Sequence, residues 1–255
     1  MKSLRYIYTG YGLIVFTIGF IILLPFFLIL IQIKSWHKHV FVLNRVWAKW
    51  VFGLLGIPME VEYRERLRKN RRYVFCPNHF SYLDIPTCGL IAHPFIFVGK
   101  NSMASIPLFG YMYRKIHITV DRDSLKSKYN TLVKAKEAID HGKSIVIFPE
   151  GGIKTEKAPR LAAFKEGPFR IAIEKQIPVV PVTIPYNWII LPDNENLFNW
   201  RRGKLICHEP ISTEGMSLAD VDKLKERAFS VIERELEKYF PSQNVKQLRK
   251  VKNGR

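Results

Sequence analysis

Beyond residue 56, short apolar runs alternate with longer segments in which apolar residues recur every three or four positions. The short runs predict strands, and several are apolar throughout, as is typical of strands buried on both faces of a sheet. The predicted strands cover residues 59–63, 73–76, 95–100, 117–120, 144–148, 179–184 and 204–207. The periodic segments predict helices over residues 124–140, 164–175 and 217–239. Strands that alternate with helices predict an α/β fold, in which helices flank a central, mostly parallel sheet.

The N-terminal region follows a different pattern, because no charged residue occurs between residues 6 and 33. This run is longer than the roughly 20 apolar residues that a helix needs to cross a bilayer core. Pro25 lies inside it, which leaves two alternatives: a single tilted or kinked span, or a hairpin that enters one leaflet and turns back near Pro25. Residues 36–55 have the pattern of a basic amphipathic helix, which lies either on the membrane or packed on the folded domain.

The charges that follow the apolar run predict an orientation. Lys34, Lys38, Arg45 and Lys49 precede the first acidic residue of this region, Glu60. Basic residues that flank a membrane segment favour the cytoplasmic side. We therefore expect a membrane protein whose folded domain lies on the cytoplasmic face.

Three segments follow from these patterns. Residues 1–55 form an N-terminal membrane segment with an interfacial amphipathic helix, and residues 56–240 form one α/β domain. Residues 241–255 contain five basic residues and no acidic one, which predicts a disordered basic tail.

The overall charge predicts the kind of partner. The chain has 255 residues, of which 40 are basic and 22 acidic, and its formal charge is +18. Such a balance favours anionic partners, namely phospholipid surfaces, phosphorylated substrates or nucleic acid. Nucleic-acid binding is disfavoured because the chain contains no recognisable reading module and begins with an apolar segment. We expect membrane phospholipid as a partner and no nucleic acid.

The cysteines and histidines disfavour a metal centre. Cys76, Cys88 and Cys207 have no C-x-x-C spacing, which predicts reduced thiols and neither a disulfide framework nor a zinc site. The histidines have no partner at metal-ligand spacing, so we expect no metal.

Polar residues follow four of the predicted strands, where ligands bind in open α/β sheets. They are the segment "NHFSYLD" at residues 78–84, Lys100, "DRD" at residues 121–123, and "PEGGIK" at residues 149–154. In a parallel sheet all four share one edge, so we expect them to form one site.

His79 and Asp84 have the residue types of a base and its partner. An imidazole titrates near neutrality, so one ring nitrogen could act as a base. A carboxylate that accepts a hydrogen bond from the other ring nitrogen would fix the tautomer. No G-x-S-x-G occurs, so the base would act on a substrate hydroxyl. The alternative is structural: His79 is a hydrogen-bonded core histidine, and Asp84 caps a helix.

The other clusters contain groups suited to an anionic substrate. Lys100 and Arg122 could bind a phosphate, Glu150 could accept from substrate hydroxyls or orient the basic groups, and Gly151 allows close backbone approach. The alternatives are a surface ion pair for Arg122 and a simple turn at Glu150.

These segments resemble four blocks of the glycerolipid acyltransferase family, best known for the 1-acyl-sn-glycerol-3-phosphate acyltransferases. "NHFSYLD" is similar to the family's N-H-x-x-x-x-D block, and "GKNSMASIPLFGYMYRKIHITVDRD" is similar to its second block. "IFPEGGIK" is similar to the F-P-E-G block, and "IPVVPVTI" to the fourth. Four blocks in the family's order are more specific than any one alone.

The resemblance implies roles for the residues that match. His79 would be the general base with Asp84 as its partner, Glu150 and Gly151 would belong to the acceptor-binding block, and Arg122 would help to hold the acceptor phosphate. It implies direct attack of the acceptor hydroxyl on a thioester, with acyl-coenzyme A or acyl carrier protein as donor substrate and no cofactor. It also implies an apolar tunnel for the acyl chain.

The third block departs from the family pattern, which usually reads F-P-E-G-T-R. Gly152 and Ile153 stand in place of Thr and Arg, so the usual guanidinium is missing. Either Lys154 or Arg160 supplies the charge, or the acceptor lacks the phosphate.

We therefore expect a membrane-bound O-acyltransferase that acts on a lysophospholipid, with 1-acyl-sn-glycerol-3-phosphate as the preferred acceptor and phosphatidic acid as the product. One alternative keeps the chemistry but takes an amino-acid-based lysolipid as the acceptor. The other is a basic membrane-associated protein without catalytic activity.

Overall fold

A computed structural model of the chain describes residues 2–101, 105, 108–121, 123–153 and 158–241. The predicted tail lies outside these residues, except for Pro241. The division into three segments stays a prediction.

The described residues contain one sheet of seven strands in the order β1-β7-β6-β2-β5-β3-β4. Neighbouring strands are parallel, except that β6 and β7 are antiparallel. The strands are β1 (Met59–Tyr63), β2 (Val74–Pro77), β3 (Phe95–Lys100), β4 (Ile118–Val120), β5 (Ser144–Ile147), β6 (Val179–Thr183) and β7 (Gly203–Cys207). The predicted mostly parallel sheet is confirmed.

Helices flank this sheet. They are α1 (Lys2–Leu30), α2 (His37–Leu54), α3 (Asp84–Cys88), α4 (Phe109–Ile116), α5 (Leu125–Asp140), α6 (Gly167–Glu174), α7 (Asn187–Ile190) and α8 (Val221–Tyr239). The three helices predicted in the domain correspond to α5, α6 and α8, and the predicted amphipathic helix corresponds to α2. The predicted helices did not include α4 and α7, which have eight and four residues and are shorter than the window over which a helical period is read. Helix α3 has five residues and begins at Asp84, where a helix capped by Asp84 was the structural alternative, but the Asp84 side chain makes no capping hydrogen bond.

Both faces of the central strands are buried, which explains their continuous apolar runs. Val74 and Cys76 of β2 join a cluster with residues of α5, α6 and α8. Phe75, which points to the other face, joins a second cluster with Cys88 of α3 and Ile91. The middle of the sheet therefore lies in a two-sided core, and its strand ends are held rigidly.

The N-terminal segment forms a helical hairpin, but its turn does not lie at Pro25. Helix α1 continues through Pro25 to Leu30, and the turn occupies residues 31–36, where a 3₁₀ segment (Lys34–Trp36) precedes α2. Of the two alternatives for this segment, the one with a break near Pro25 is therefore wrong. A proline removes one backbone N–H donor, and a long apolar helix packed against neighbours tolerates this loss.

The two helices are antiparallel and in contact over their length. The Tyr8 hydroxyl donates to the carbonyl of Leu55 at 2.7 Å, while Gly19 lies against the indole of Trp47. The buried positions of α1 form one stripe with a helical period: Gly12, Val15, Gly19, Leu23 and Phe27.

Most of the remaining surface of α1 is apolar and exposed, including Ile7, Leu13, Ile14, Ile18, Ile21, Ile22, Phe26 and Ile29. By its length and composition α1 could cross a membrane, since 29 residues at 1.5 Å each give about 43 Å.

Candidate active site

The candidate site begins where β2 leaves the sheet. The Asn78 side chain donates to the carbonyl of Ile184 at 3.0 Å and accepts from the Ile184 amide at 2.7 Å. This pair of bonds fastens the end of β2 to the chain that follows β6. His79 is the next residue, so its position is fixed by the core of the sheet.

The side chains of His79 and Asp84 are in contact, as the sequence predicted. Nδ1 of His79 lies 3.0 Å from Oδ2 of Asp84, and the same oxygen accepts from the amides of Phe80 and Ser81 at 2.7 and 2.8 Å. Asp84 begins α3, so a turn of four residues returns its carboxylate to His79. The five-residue spacing therefore closes a compact loop around the carboxylate.

The second carboxylate oxygen of Asp84 is also bonded. Asn187 of α7 donates to Oδ1 at 2.9 Å and to the hydroxyl of Thr87 at 2.9 Å. The Asp84 side chain is 0% exposed, and a buried carboxylate requires such donors. These bonds orient the Asp84 carboxylate toward Nδ1 of His79.

This geometry assigns the tautomer of a neutral His79. Nδ1–H donates to Asp84, and Nε2 keeps the lone pair, with no described residue bonded to it. The ring stacks on Phe148, with centroids 3.9 Å apart and planes at 19°. Phe148 and Asp84 therefore fix the imidazole, and the Nε2 lone pair is available to accept a proton.

Glu150 links the histidine loop to a second loop. Its Oε1 accepts from the backbone N–H of His79 at 2.7 Å, and its Oε2 accepts from the amide of Ala162 at 2.8 Å. Glu150 is 2% exposed. These contacts are those of a positioning residue, while the predicted contact of Glu150 with substrate stays a prediction.

Gly151 occupies a backbone conformation that L side chains rarely adopt, with φ at +71°. A Cβ atom there would lie 2.7 Å from both Cε and Nζ of Lys165. The glycine thus serves two needs, a left-handed turn and the close passage of a lysine side chain.

The structure places only part of the predicted phosphate-binding group. The backbone of Lys100 ends β3 in register with Val120 of β4, at the same edge of the sheet as His79. Arg122 and Lys154 lie outside the described residues. Arg160 is described and exposed.

The cysteine beside the site is not a nucleophile. Cys76 is fully buried in β2, and burial raises the pKa of its thiol well above the usual range. Burial likewise raises the pKa of Cys88 and Cys207. In the part of the chain that the structure describes, no three His, Cys, Asp or Glu side chains are grouped so that they could hold a metal ion.

Sequence reasoning missed several residues of the site. Asn78 adjoins the histidine, so its place in the same segment was a usable signal. Asn187 and Lys165 lie far along the chain, and no spacing rule connects them with His79. Only the pairing of β2 with β6, and the return of the chain after Gly151, bring them to the site.

Comparisons with known proteins identify the family of the chain. A sequence profile described as "Acyltransferase" matches residues 58–185. A 1-acyl-sn-glycerol-3-phosphate acyltransferase of Haemophilus influenzae is 29% identical over 199 residues, covering 74% of this chain and 80% of the relative. One from Saccharomyces cerevisiae is 30% identical over 179 residues, covering 68% of this chain and 58% of the relative.

A solved structure shares the whole fold. The crystal structure of the 1-acyl-sn-glycerophosphate (LPA) acyltransferase from Thermotoga maritima superposes with a TM-score of 0.81, over 94% of this chain and 98% of that one. The two sequences are 24% identical, so this likeness supports the fold alone.

Proposed function

Because the chain belongs to the Acyltransferase family and is an O-acyltransferase, we propose that it acylates the free hydroxyl of 1-acyl-sn-glycerol-3-phosphate to give phosphatidic acid. The observation that carries the proposal is the 3.0 Å contact between His79 and Asp84, with Nε2 of the imidazole left as a base. The named activity of the relatives supports the choice of acceptor.

The reaction follows from that geometry in one displacement. Nε2 of His79 takes the proton of the acceptor hydroxyl as its oxygen attacks the thioester carbonyl carbon. Asp84 stabilises the imidazolium that forms, since its buried carboxylate accepts from Nδ1–H. The carbon–sulfur bond then breaks, and His79 returns the proton to the leaving thiolate. The products are an ester and a free thiol, and no acyl-enzyme is needed.

The donor in this proposal is acyl-coenzyme A or acyl carrier protein. Both present the same thioester, and both are anionic, which suits a chain of charge +18. No separate cofactor is needed, because the thioester itself is the activated acyl group.

We also propose that the enzyme works at a membrane surface, with the α/β domain on the cytoplasmic face. The acceptor and the product are lipids, and the exposed apolar side of α1 offers a surface that lipid would cover. The buried stripe of α1 faces α2 and the domain, which favours a hairpin inserted in one leaflet over an isolated span. The basic flank that begins at Lys34 favours the cytoplasmic side.

The test is an acyl-transfer assay with purified protein and palmitoyl thioesters. The acceptors are lysophosphatidic acid, a lysolipid without phosphate, and none. We expect lysophosphatidic acid to be preferred, and His79→Ala to lower turnover by about 10²–10⁴-fold, the usual contribution of a general base. His141→Ala is the matched control, because His141 is exposed and caps the far end of α5.

Two outcomes would overturn the proposal. Near wild-type turnover in His79→Ala would remove the base from the mechanism. Equal or better acylation of a phosphate-free lysolipid by the wild-type enzyme would replace the acceptor, in keeping with the absence of Arg at position 153.

A further inference from the structure

Residues 162–165 lie against the Glu150 loop and place a lysine beside it. The amide of Lys165 donates to the carbonyl of Pro149 at 2.8 Å, and the amide of Ala162 donates to Glu150 at 2.8 Å. These two bonds fix the backbone at both ends of residues 162–165. The Lys165 side chain then crosses Gly151, with Nζ 2.7 Å from the place of a Cβ atom.

The Lys165 ammonium is available for a ligand. The residue is exposed, and within the described ranges no hydrogen bond or ion pair engages its Nζ. By contrast, Lys175 at the end of α6 is paired with Asp140 at 2.6 Å, and Lys136 with Glu174 at 2.7 Å. Lys165 therefore presents a positive charge without an ion-pair partner in the described part of the chain, beside Gly151, the residue that follows Glu150. The Glu150 carboxylate in turn accepts from the backbone N–H of His79.

An anionic acceptor needs a cation at this place. The buried carboxylates of Asp84 and Glu150 both lie beside the His79 loop, and like charges repel a phosphate brought near them. Ile153 supplies no charge, although it stands where the family usually has arginine. The Lys165 ammonium lies against the same turn and can offset the carboxylate charge.

We propose that Lys165 binds the phosphate monoester of the acceptor and thereby determines specificity for phosphorylated lysolipids. This inference rests on the proposed function, because it assigns a residue to the headgroup of the same acceptor. The Lys165 side chain lies against Gly151, next to Glu150, so a side chain at position 151 would displace the ammonium. The glycine of the third block would thereby serve substrate binding through a second residue.

The first test compares Lys165→Ala and Lys165→Arg with the wild-type enzyme. The loss of one charge-assisted hydrogen bond implies a rise of roughly ten- to hundredfold in the apparent KM for lysophosphatidic acid. The KM for the thioester and the rate with monoacylglycerol, which lacks the phosphate, should stay unchanged. Lys165→Arg should restore most of the affinity, whereas the control Lys175→Ala, on an ion-paired lysine, should have no effect.

The second test uses the glycine. Gly151→Ala should reproduce the rise in KM, because its Cβ would occupy the path of Lys165. Gly142→Ala is the matched control: its φ is +81°, so it bears similar strain, but nothing lies within 4 Å of its Cβ position. An equal effect of both substitutions on KM would attribute the change to strain and contradict the inference.

The third test does not depend on turnover. An amine-reactive reagent should modify Lys165 in the intact enzyme, and glycerol 3-phosphate should protect it, whereas glycerol should not. Protection together with a failure to acylate lysophosphatidic acid would refute the proposed acceptor and leave the phosphate site standing. The assignment of Lys165 is wrong if three results occur together. The enzyme acylates lysophosphatidic acid, Lys165→Ala leaves the KM for this acceptor unchanged, and glycerol 3-phosphate does not protect Lys165.

Discussion

At the scale of single residues, two buried carboxylates shape the site by accepting backbone N–H groups. Asp84 accepts from the amides of Phe80 and Ser81, and Glu150 accepts from the amides of His79 and Ala162. A carboxylate has two acceptor oxygens and no donor, which suits a place where only N–H groups converge. Acidic residues at positions 84 and 150 are thus explained by neighbours that only donate hydrogen bonds to them.

Glu150→Gln tests the contribution of the hydrogen bonds that Glu150 accepts. An amide side chain offers one acceptor, and its NH₂ group would face the N–H of either His79 or Ala162. Losing one bond to a charged acceptor should lower the free energy of unfolding by about 1.5–3 kcal/mol. Because His79 itself would be displaced, kcat should fall as well. Denaturant unfolding in detergent and the acyl-transfer assay measure the two effects.

The control for this substitution is Glu174→Gln, which changes an exposed glutamate paired with Lys136. It should change stability by no more than a surface ion pair contributes, about 0–1 kcal/mol. An unchanged free energy of unfolding in Glu150→Gln would show that the hydrogen bonds from His79 and Ala162 to Glu150 do not contribute to stability.

At the scale of elements, the small residues of α1 determine how closely it approaches α2. A Cβ atom at Gly19 would lie 3.1 Å from Nε1 of Trp47, whereas nothing lies within 4 Å of the Cβ position at Gly10. The glycine at position 19 therefore permits contact between helix and indole. Close contact along the stripe keeps α1 against the domain instead of leaving it as an isolated helix.

Gly19→Leu should disrupt this interface. Inserting a large side chain into a packed contact costs typically 1–3 kcal/mol, so we expect a lower melting temperature in detergent. Gly10→Leu, with the same change in composition on the same helix, should leave the melting temperature unchanged. A melting temperature unchanged in Gly19→Leu would mean that α1 does not pack on α2 through this stripe.

At the scale of the whole molecule, two surface properties act together on lipid. The chain carries a formal charge of +18, and α1 exposes a broad apolar face. Electrostatic attraction to anionic lipid weakens in high salt, whereas burial of apolar side chains does not. Binding that persists in high salt therefore reports the apolar face of α1.

Replacing Ile14, Ile18 and Ile22 together by serine should weaken that persistent binding. They lie four positions apart and are 58%, 50% and 50% exposed, outside the buried stripe, so folding should be unaffected. Each loses roughly 1 kcal/mol or more of burial in lipid, which implies about a hundredfold weaker partitioning. Flotation with vesicles of anionic phospholipid in high salt measures the effect.

The control for this variant is Leu125→Ser at the start of α5, where the leucine is 81% exposed and does not belong to α1. It should float like the wild-type protein. Undiminished flotation of the triple variant would show that another surface anchors the protein.

The sequence by itself determined the strands, the longer helices and the contact at the centre of the candidate site. Strand positions followed from apolar runs, because strands buried on both faces need no polar alternation. The two long helices α5 and α8 followed from their period, and His79 with Asp84 followed from a local loop. These are features set by neighbours within a few positions, which a linear sequence displays.

Only the tertiary structure decided what depends on distant residues. The turn of the N-terminal hairpin lies at residues 31–36 because packing against α2 carries the helix through Pro25. The antiparallel pairing of β7 with β6 depends on how the chain returns to the sheet, which no local pattern records. Asn187 and Lys165 join the site across long stretches of chain. Such contacts arise only when the folded core brings its strand ends together, so composition and spacing alone do not contain them.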